Sequence, residues 1–211
     1  MDPTSTAQLG ARIGALCAAA NLHERLGELV NLCEELELLT LSTSVAPMAV
    51  EHYARFLIAL LALRRLDEAR HLWKRLPVKN GAGLPQIWAV GQALWKRDIV
   101  QAHAAVGALV AVALEGFAPL VAVLKHSIQH STALLISRAY SNLPLDSTAQ
   151  ALGLSVDEAV TFCVQHNWRV EQNTVFPSPL PSSPSVAIEL DQLQHLSSYI
   201  LHLEQRSIMK V

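Results

Sequence analysis

Gly153-Leu-Ser-Val-Asp-Glu-Ala-Val-Thr-Phe-Cys-Val-Gln-His-Asn-Trp168 is the stretch on which the fold turns. Ser155 is a good helix N-cap, and Glu158 at the third helical position completes a capping box. Val156, Ala159, Val160, Cys163 and Val164 then repeat at helical spacing and are expected to face a core. Upstream, Leu145 to Leu152 reads as a short helix ended by Gly153, and Ser127 to Leu143 reads as a longer one. Downstream, Trp168 to Glu171 and Thr174 to Phe176 read as two short strands joined at Gln172-Asn173. Asn173 suits that hairpin because Asn tolerates a positive φ. Leu134 to Phe176 is therefore a helix, a helix-turn-helix and a two-stranded wing, the layout of a winged helix.

The helix expected to enter a DNA groove, Ser155 to His166, contains Asp157 and Glu158 but no Lys or Arg. Affinity for DNA comes largely from cations that neutralise phosphates. Two carboxylates at the docking end oppose it, which points to protein partners. Overall charge agrees. The 211-residue chain carries a formal net charge of −2, so no global basic field draws in nucleic acid or anionic lipid.

Working outward, the chain up to about residue 125 is expected to be a run of short helices. Leu9, Ile13, Leu16 and Ala20 share one helical face, and Leu22, Leu26, Leu29, Cys33 and Leu36 another. Thr40 to Pro47 reads as a polar break. Val50, Tyr53, Phe56, Leu57, Leu60 and Leu61 form a broad apolar face. A fourth helix, capped by Asp67, encloses Ala69, Leu72, Trp73 and Leu76; Pro85 opens a fifth and Asp98 caps a sixth. Helices this short cannot bury their faces alone, so they are expected to stack in antiparallel pairs, as in tetratricopeptide-like solenoids. Ala104 to Leu124 is apolar apart from Glu115, but Gly107, Gly116 and Pro119 interrupt it. It reads as two buried helices meeting near Leu114–Gly116, not as a membrane span.

Little in the sequence suggests chemistry. Cys17, Cys33 and Cys163 lack metal-ligand spacing and read as reduced core residues of an intracellular protein. The N-terminus has neither the basic nor the apolar region of a signal peptide. His126 and His130 are spaced like zinc ligands on one helical face, but no Glu follows His126 directly. The adjacent carboxylates Glu34–Glu35, Asp67–Glu68 and Asp157–Glu158 point different ways on helices. No catalytic residue, metal or cofactor is expected. Trp73, Trp88 and Trp95 read as an inter-helix core; the functional alternative is a peptide groove.

Pro177 to Ser185 is too rich in Pro and Ser to pack, and an amphipathic helix is expected from about Val186 to Gln205. Leu193, Leu196, Ile200 and Leu203 form its apolar stripe, widened by Leu190 and Tyr199. A stripe of this kind on a flexible tether suits an intermolecular helical bundle.

Ala69-Arg-His-Leu-Trp-Lys-Arg-Leu-Pro77, Ile87-Trp-Ala-Val-Gly-Gln-Ala-Leu-Trp-Lys-Arg-Asp98, Ile136-Ser-Arg-Ala-Tyr140 and the run from Gly153 resemble the family of the smallest COP-nine signalosome subunit. That family shares the PCI domain with subunits of the proteasome lid and of translation initiation factor three. The similarity covers roughly Val50 to Phe176. It implies a mainly α chain in four parts: a helical-repeat region over 1–125, a winged-helix subdomain over 126–176, a linker over 177–187 and an assembly helix over 188–206. It further implies a non-catalytic scaffold of the complex that removes Nedd8 from cullins, found in cytoplasm and nucleus, with the isopeptidase site in another, metal-binding subunit. In the family, winged helices pair edge to edge and terminal helices share one bundle. The contact residues implied are Thr174 and Phe176 at an edge strand left open by the wing, and Leu190, Leu193, Leu196, Tyr199, Ile200 and Leu203 in the bundle. The alternatives are a sister subunit of the proteasome lid or initiation factor three, and a winged-helix regulator of nucleic acid.

Overall fold

The computed structural model describes residues 3–19, 21–43, 48–112, 116–180 and 196–203. The protein is mainly helical, and two compact units divide it, Met1–Pro179 and Leu180–Val211. In the first, α1 (Pro3–Cys17), α2 (Leu26–Thr43), α3 (Val50–Ala62), α4 (Leu66–Arg75), α5 (Leu84–Trp95), α6 (Ile99–Val112) and α7 (Ala118–Ala139) precede β1 (Leu143–Pro144), α8 (Leu145–Leu152), α9 (Val156–Gln165), β2 (Arg169–Glu171) and β3 (Thr174–Phe176). None of the described helices is long and apolar enough to cross a membrane.

The centre is α3. Residues 56–62 are all buried, because α2, α4, α5 and α7 pack around this helix. A helix that is apolar on every side must be interior. The other helices supply single stripes to it, and Ile13, Leu29, Leu72 and Leu120 are fully buried. The Ser127 hydroxyl ties α7 to the end of α3 by donating to the Ala62 carbonyl. Cys17, Cys33 and Cys163 are buried free thiols, and burial pushes the Cys33 thiol up to about 12.

One local device ends four of the helices. Arg64, Arg97, Gly153 and Asn167 each adopt a left-handed φ after α3, α5, α8 and α9. In each case the next amide reaches back to a carbonyl five residues earlier: Arg65 to Leu60, Asp98 to Ala93, Leu154 to Ala149, Trp168 to Cys163. This closure satisfies orphan carbonyls and turns the chain sharply, which makes antiparallel pairs possible.

Several expectations need correction. The polar break begins later, since α2 runs to Thr43; the Thr40 hydroxyl bonds back to the Glu37 carbonyl and stays in the helix. Residues 44–47 lie outside the described residues, as does Ala20. Asp67 is not the cap of α4. Arg65 occupies that position without a side-chain capping bond, and Asp67 and Glu68 sit in the first turn, where they favour the helix dipole. Asp98 does cap α6, its Oδ1 accepting from the Gln101 amide at 3.0 Å.

The winged end departs most from expectation. α7 stops at Ala139 rather than Leu143, and Leu143–Pro144 forms a third strand. The cause is Pro144, which disfavours the helical region for the residue before it and cannot donate to a ladder. The sheet order is β1-β3-β2, with Leu143 opposite Val175 and Val170 also opposite Val175. The hairpin turn places its positive φ on Gln172 and not on Asn173. Instead, Asn173 accepts from the Leu145 amide at 2.9 Å, which locks the wing to the start of α8.

The expected division between residues 125 and 126 falls inside α7, which is unbroken there. The interior changes hands further along that helix. One buried cluster ends at Ile128, and Ala133, Ile136, Leu152, Ala159, Cys163, Trp168 and Val175 are buried beyond it.

Candidate interaction surfaces

The capping box of α9 is fully formed. The Ser155 hydroxyl accepts from the Glu158 amide at 3.3 Å, and the Glu158 carboxylate accepts from the Ser155 amide at 2.9 Å. These bonds hold the Glu158 carboxyl below its ordinary value. Ala159 and Cys163 bury, while the Phe162 ring meets His166 at 4.3 Å in a tilted contact and Trp168 edge-on at 5.9 Å. Val156 and Val164 do not face the core as expected; Val164 is 67% exposed and Val156 is exposed as well. The apolar arc of α9 is wider than its neighbours can cover.

Thr174 and Phe176 lie on β3, which is the central strand, so they do not form an open edge. The strand that a two-stranded wing was expected to leave open is paired on both sides because β1 fills the vacancy. An outer edge is instead offered by β2, from Arg169 to Glu171, with the Arg169 guanidinium 4.9 Å over the Phe176 ring. In the second unit, residues 196–203 are helical, and Leu196, Tyr199, Ile200 and Leu203 are all exposed. Leu190 and Leu193 lie outside the described residues.

Two clefts occupy the helical array. A groove of about 630 Å³ between α2 and α4 is floored by Phe56 and Leu60 and edged by Leu38 and Leu41. Leu38 and Leu41 are exposed and fall off the stripe that ends at Leu36; their position off that stripe is the signal that sequence reading passed over. At its rim Arg75 pairs with Glu37 through two bonds of 2.8 and 2.6 Å. The Glu37 side chain is 8% exposed and that of Arg75 half exposed. Arg75→Ala is expected to cost about 2 kcal/mol, because it strands a buried carboxylate, with some relief from nearby solvent. Urea unfolding of the variant checks this; unchanged stability would mean that water replaces the guanidinium.

The second cleft, about 300 Å³, lies between α4 and α5 and is lined by Arg70, Trp88, Gln92, Trp95 and Lys96. Trp73 and Trp88 stack at 5.2 Å, nearly parallel. Both are half-buried, and Trp95 is 45% exposed, so the tryptophans are not the closed core expected of them. Trp73→Ala should accordingly cost about 1–3 kcal/mol, less than the 3–5 typical of a fully buried ring. Thermal unfolding would measure it.

His126 and His130 do share one face, their rings stacked at 6.3 Å, and His23 meets His126 edge-on at 5.7 Å. Among the described residues no group of three His, Cys, Asp or Glu side chains is placed to hold a metal ion. Burial lowers the affinity of His52, His103 and His126 for a proton, with help from Arg55, Lys125 and the neighbouring histidines respectively. A histidine whose folded pKa is depressed stabilises the fold above its unfolded pKa, and that contribution is lost as pH falls through the folded value. The urea midpoint should therefore fall between about pH 7.5 and pH 5.5. A midpoint that rises over this interval would contradict the sign.

The family model described as the CSN8/PSMD8/EIF3K family matches residues 48–186, from the start of α3 through the winged end. The chain belongs to the CSN8/PSMD8/EIF3K family. A zebrafish (Danio rerio) protein named COP9 signalosome complex subunit 8 is 32% identical over 158 residues, covering 72% of this chain and 82% of the relative. The protein of that name from Xenopus tropicalis is 31% identical over 178 residues, covering 82% and 90%. The one from Arabidopsis thaliana is 28% identical over 185 residues, covering 78% and 88%.

Proposed function

We propose that this member of the CSN8/PSMD8/EIF3K family is a non-catalytic scaffold subunit of a COP9 signalosome. In that role it supports the removal of Nedd8 from cullins, and hence the control of cullin-RING ubiquitin ligases, in cytoplasm and nucleus. The observation that carries this reading is the shared name of relatives from fish, frog and plant, each matched over at least four-fifths of its own length. The family description itself also covers proteasome and initiation-factor subunits, so a sister subunit of those assemblies is the second reading.

In the proposed assembly two surfaces make the contacts. The winged end contributes the outer edge of β2, whose unpaired backbone groups can extend into a neighbour's sheet. Thr174 and Phe176 support that contact from the strand behind it. The terminal helix contributes Leu196, Tyr199, Ile200 and Leu203, together with Leu190 and Leu193. Burying four such side chains yields about 1.5–3 kcal/mol each before entropy costs. The acidic first turn of α9 fits protein contacts better than phosphate contacts.

An extract depleted of this chain should accumulate Nedd8-conjugated cullin, and adding the full chain back should restore cleavage. The isolated chain, incubated with the same conjugate, should release no Nedd8. Cleavage by the isolated chain, or normal cleavage in the depleted extract, would refute the proposed role.

A further inference from the structure

The α4/α5 cleft concentrates positive charge on a chain whose net charge is −2. Arg70 stands 4.9 Å over the Trp95 ring, and the Lys79 ammonium lies 5.7 Å from the Trp73 ring. Arg70 and Lys96 line the cleft itself, and Lys79 lies outside its lining. Among the described residues none of these three cations forms an ion pair, whereas Arg25, Arg55, Arg65, Arg75 and Arg169 all do. Asp67, one turn before Arg70, forms no ion pair with it, and Asp98 is engaged in capping α6. Arg70 and Lys79 lie instead against aromatic faces, which stabilise cations without neutralising them. The cleft thus offers two cations without ion-pair partners, Arg70 and Lys96, beside an apolar floor of Trp88 and Trp95, with the Gln92 carboxamide between as donor and acceptor.

We propose that this cleft binds an acidic peptide segment of a partner protein. An apolar side chain of the segment would seat against Trp88 and Trp95, and flanking carboxylates would pair with Arg70 and Lys96. Buried aromatic and arginine anchors are the usual carriers of binding energy at such sites. A nucleic acid fits less well. The Trp73–Trp88 stack and the Arg70 guanidinium each take one ring face, which leaves room for one apolar side chain against Trp88 and Trp95 but no row of parallel open rings for successive bases.

Calorimetric titration of the full chain tests it, with a peptide of Asp and Glu residues around one central Phe. Saturable binding is expected, weakened about tenfold or more by R70E/K96E, since two attractive pairs become repulsive. Both changed side chains are exposed, so circular dichroism should show an unchanged fold. R12E, an exposed change on α1, should bind normally, and a peptide with Lys in place of Asp and Glu should not bind. Trp95→Ala should weaken binding by removing the apolar seat. No saturable binding, equal binding by R70E/K96E, or tighter binding of oligouridylate of matched charge would overturn the proposal.

Discussion

Replacing Leu196 and Ile200 by aspartate is expected to release this protein from its assembly without unfolding it. Both side chains are more than half exposed in the isolated chain, so the substitution removes little internal packing. Its stability should change by no more than about 0.5 kcal/mol. In a helical bundle the same two positions would be desolvated. Two unpaired carboxylates buried there should weaken association by about 100-fold or more. Deleting residues 180–211 should have the same effect, and Met1–Pro179 should stay folded because it is a compact unit with its own core. Size-exclusion profiles of tagged variants in cell extract read this directly. Variants that still migrate with the assembly would place the contact in the winged end alone.

Gly153→Ala is expected to be the most damaging single-atom addition in the chain, at about 2–4 kcal/mol. Gly153 holds φ +63, and an added Cβ would stand 2.4 Å from Cγ and 2.9 Å from Cβ of His103. His103 cannot simply swing aside, because its Nε2 is bonded to the Ala151 carbonyl at 3.1 Å. The clash therefore strikes where α6 supports the end of α8. His103→Ala should relieve it, leaving only the backbone strain of about 1 kcal/mol. The coupling between the two substitutions, measured by urea unfolding in a double-mutant cycle, is then large and favourable. Strict additivity would show that the helices had moved apart instead.

These two sites differ in how readily the sequence shows them. Gly153 and the Ser155–Glu158 box are local signals, and the backbone obeys them. The stripes of α2 and α3 are equally plain, because burial of Leu26, Leu29, Cys33, Phe56 and Leu60 follows helical spacing. Where neighbours decide the outcome, reading fails. Leu143–Pro144 is too short to alternate, and its pairing with β3 depends on residues thirty positions away. Whether Trp95 or Val164 is covered depends on which helix lies beside it, which periodicity cannot state. The outward leucines Leu38 and Leu41 were visible only as residues off a stripe. As for the terminal helix, its spacing was legible, but its partner is not encoded in the spacing.

The central claim is membership of a signalosome, and native mass spectrometry of the tagged full chain purified from its own cells tests it most directly. The expected result is one assembly containing the chain and the other signalosome subunits, among them the metal-binding isopeptidase. Recovery of the chain with proteasome-lid or initiation-factor subunits, or as a free monomer, would contradict it.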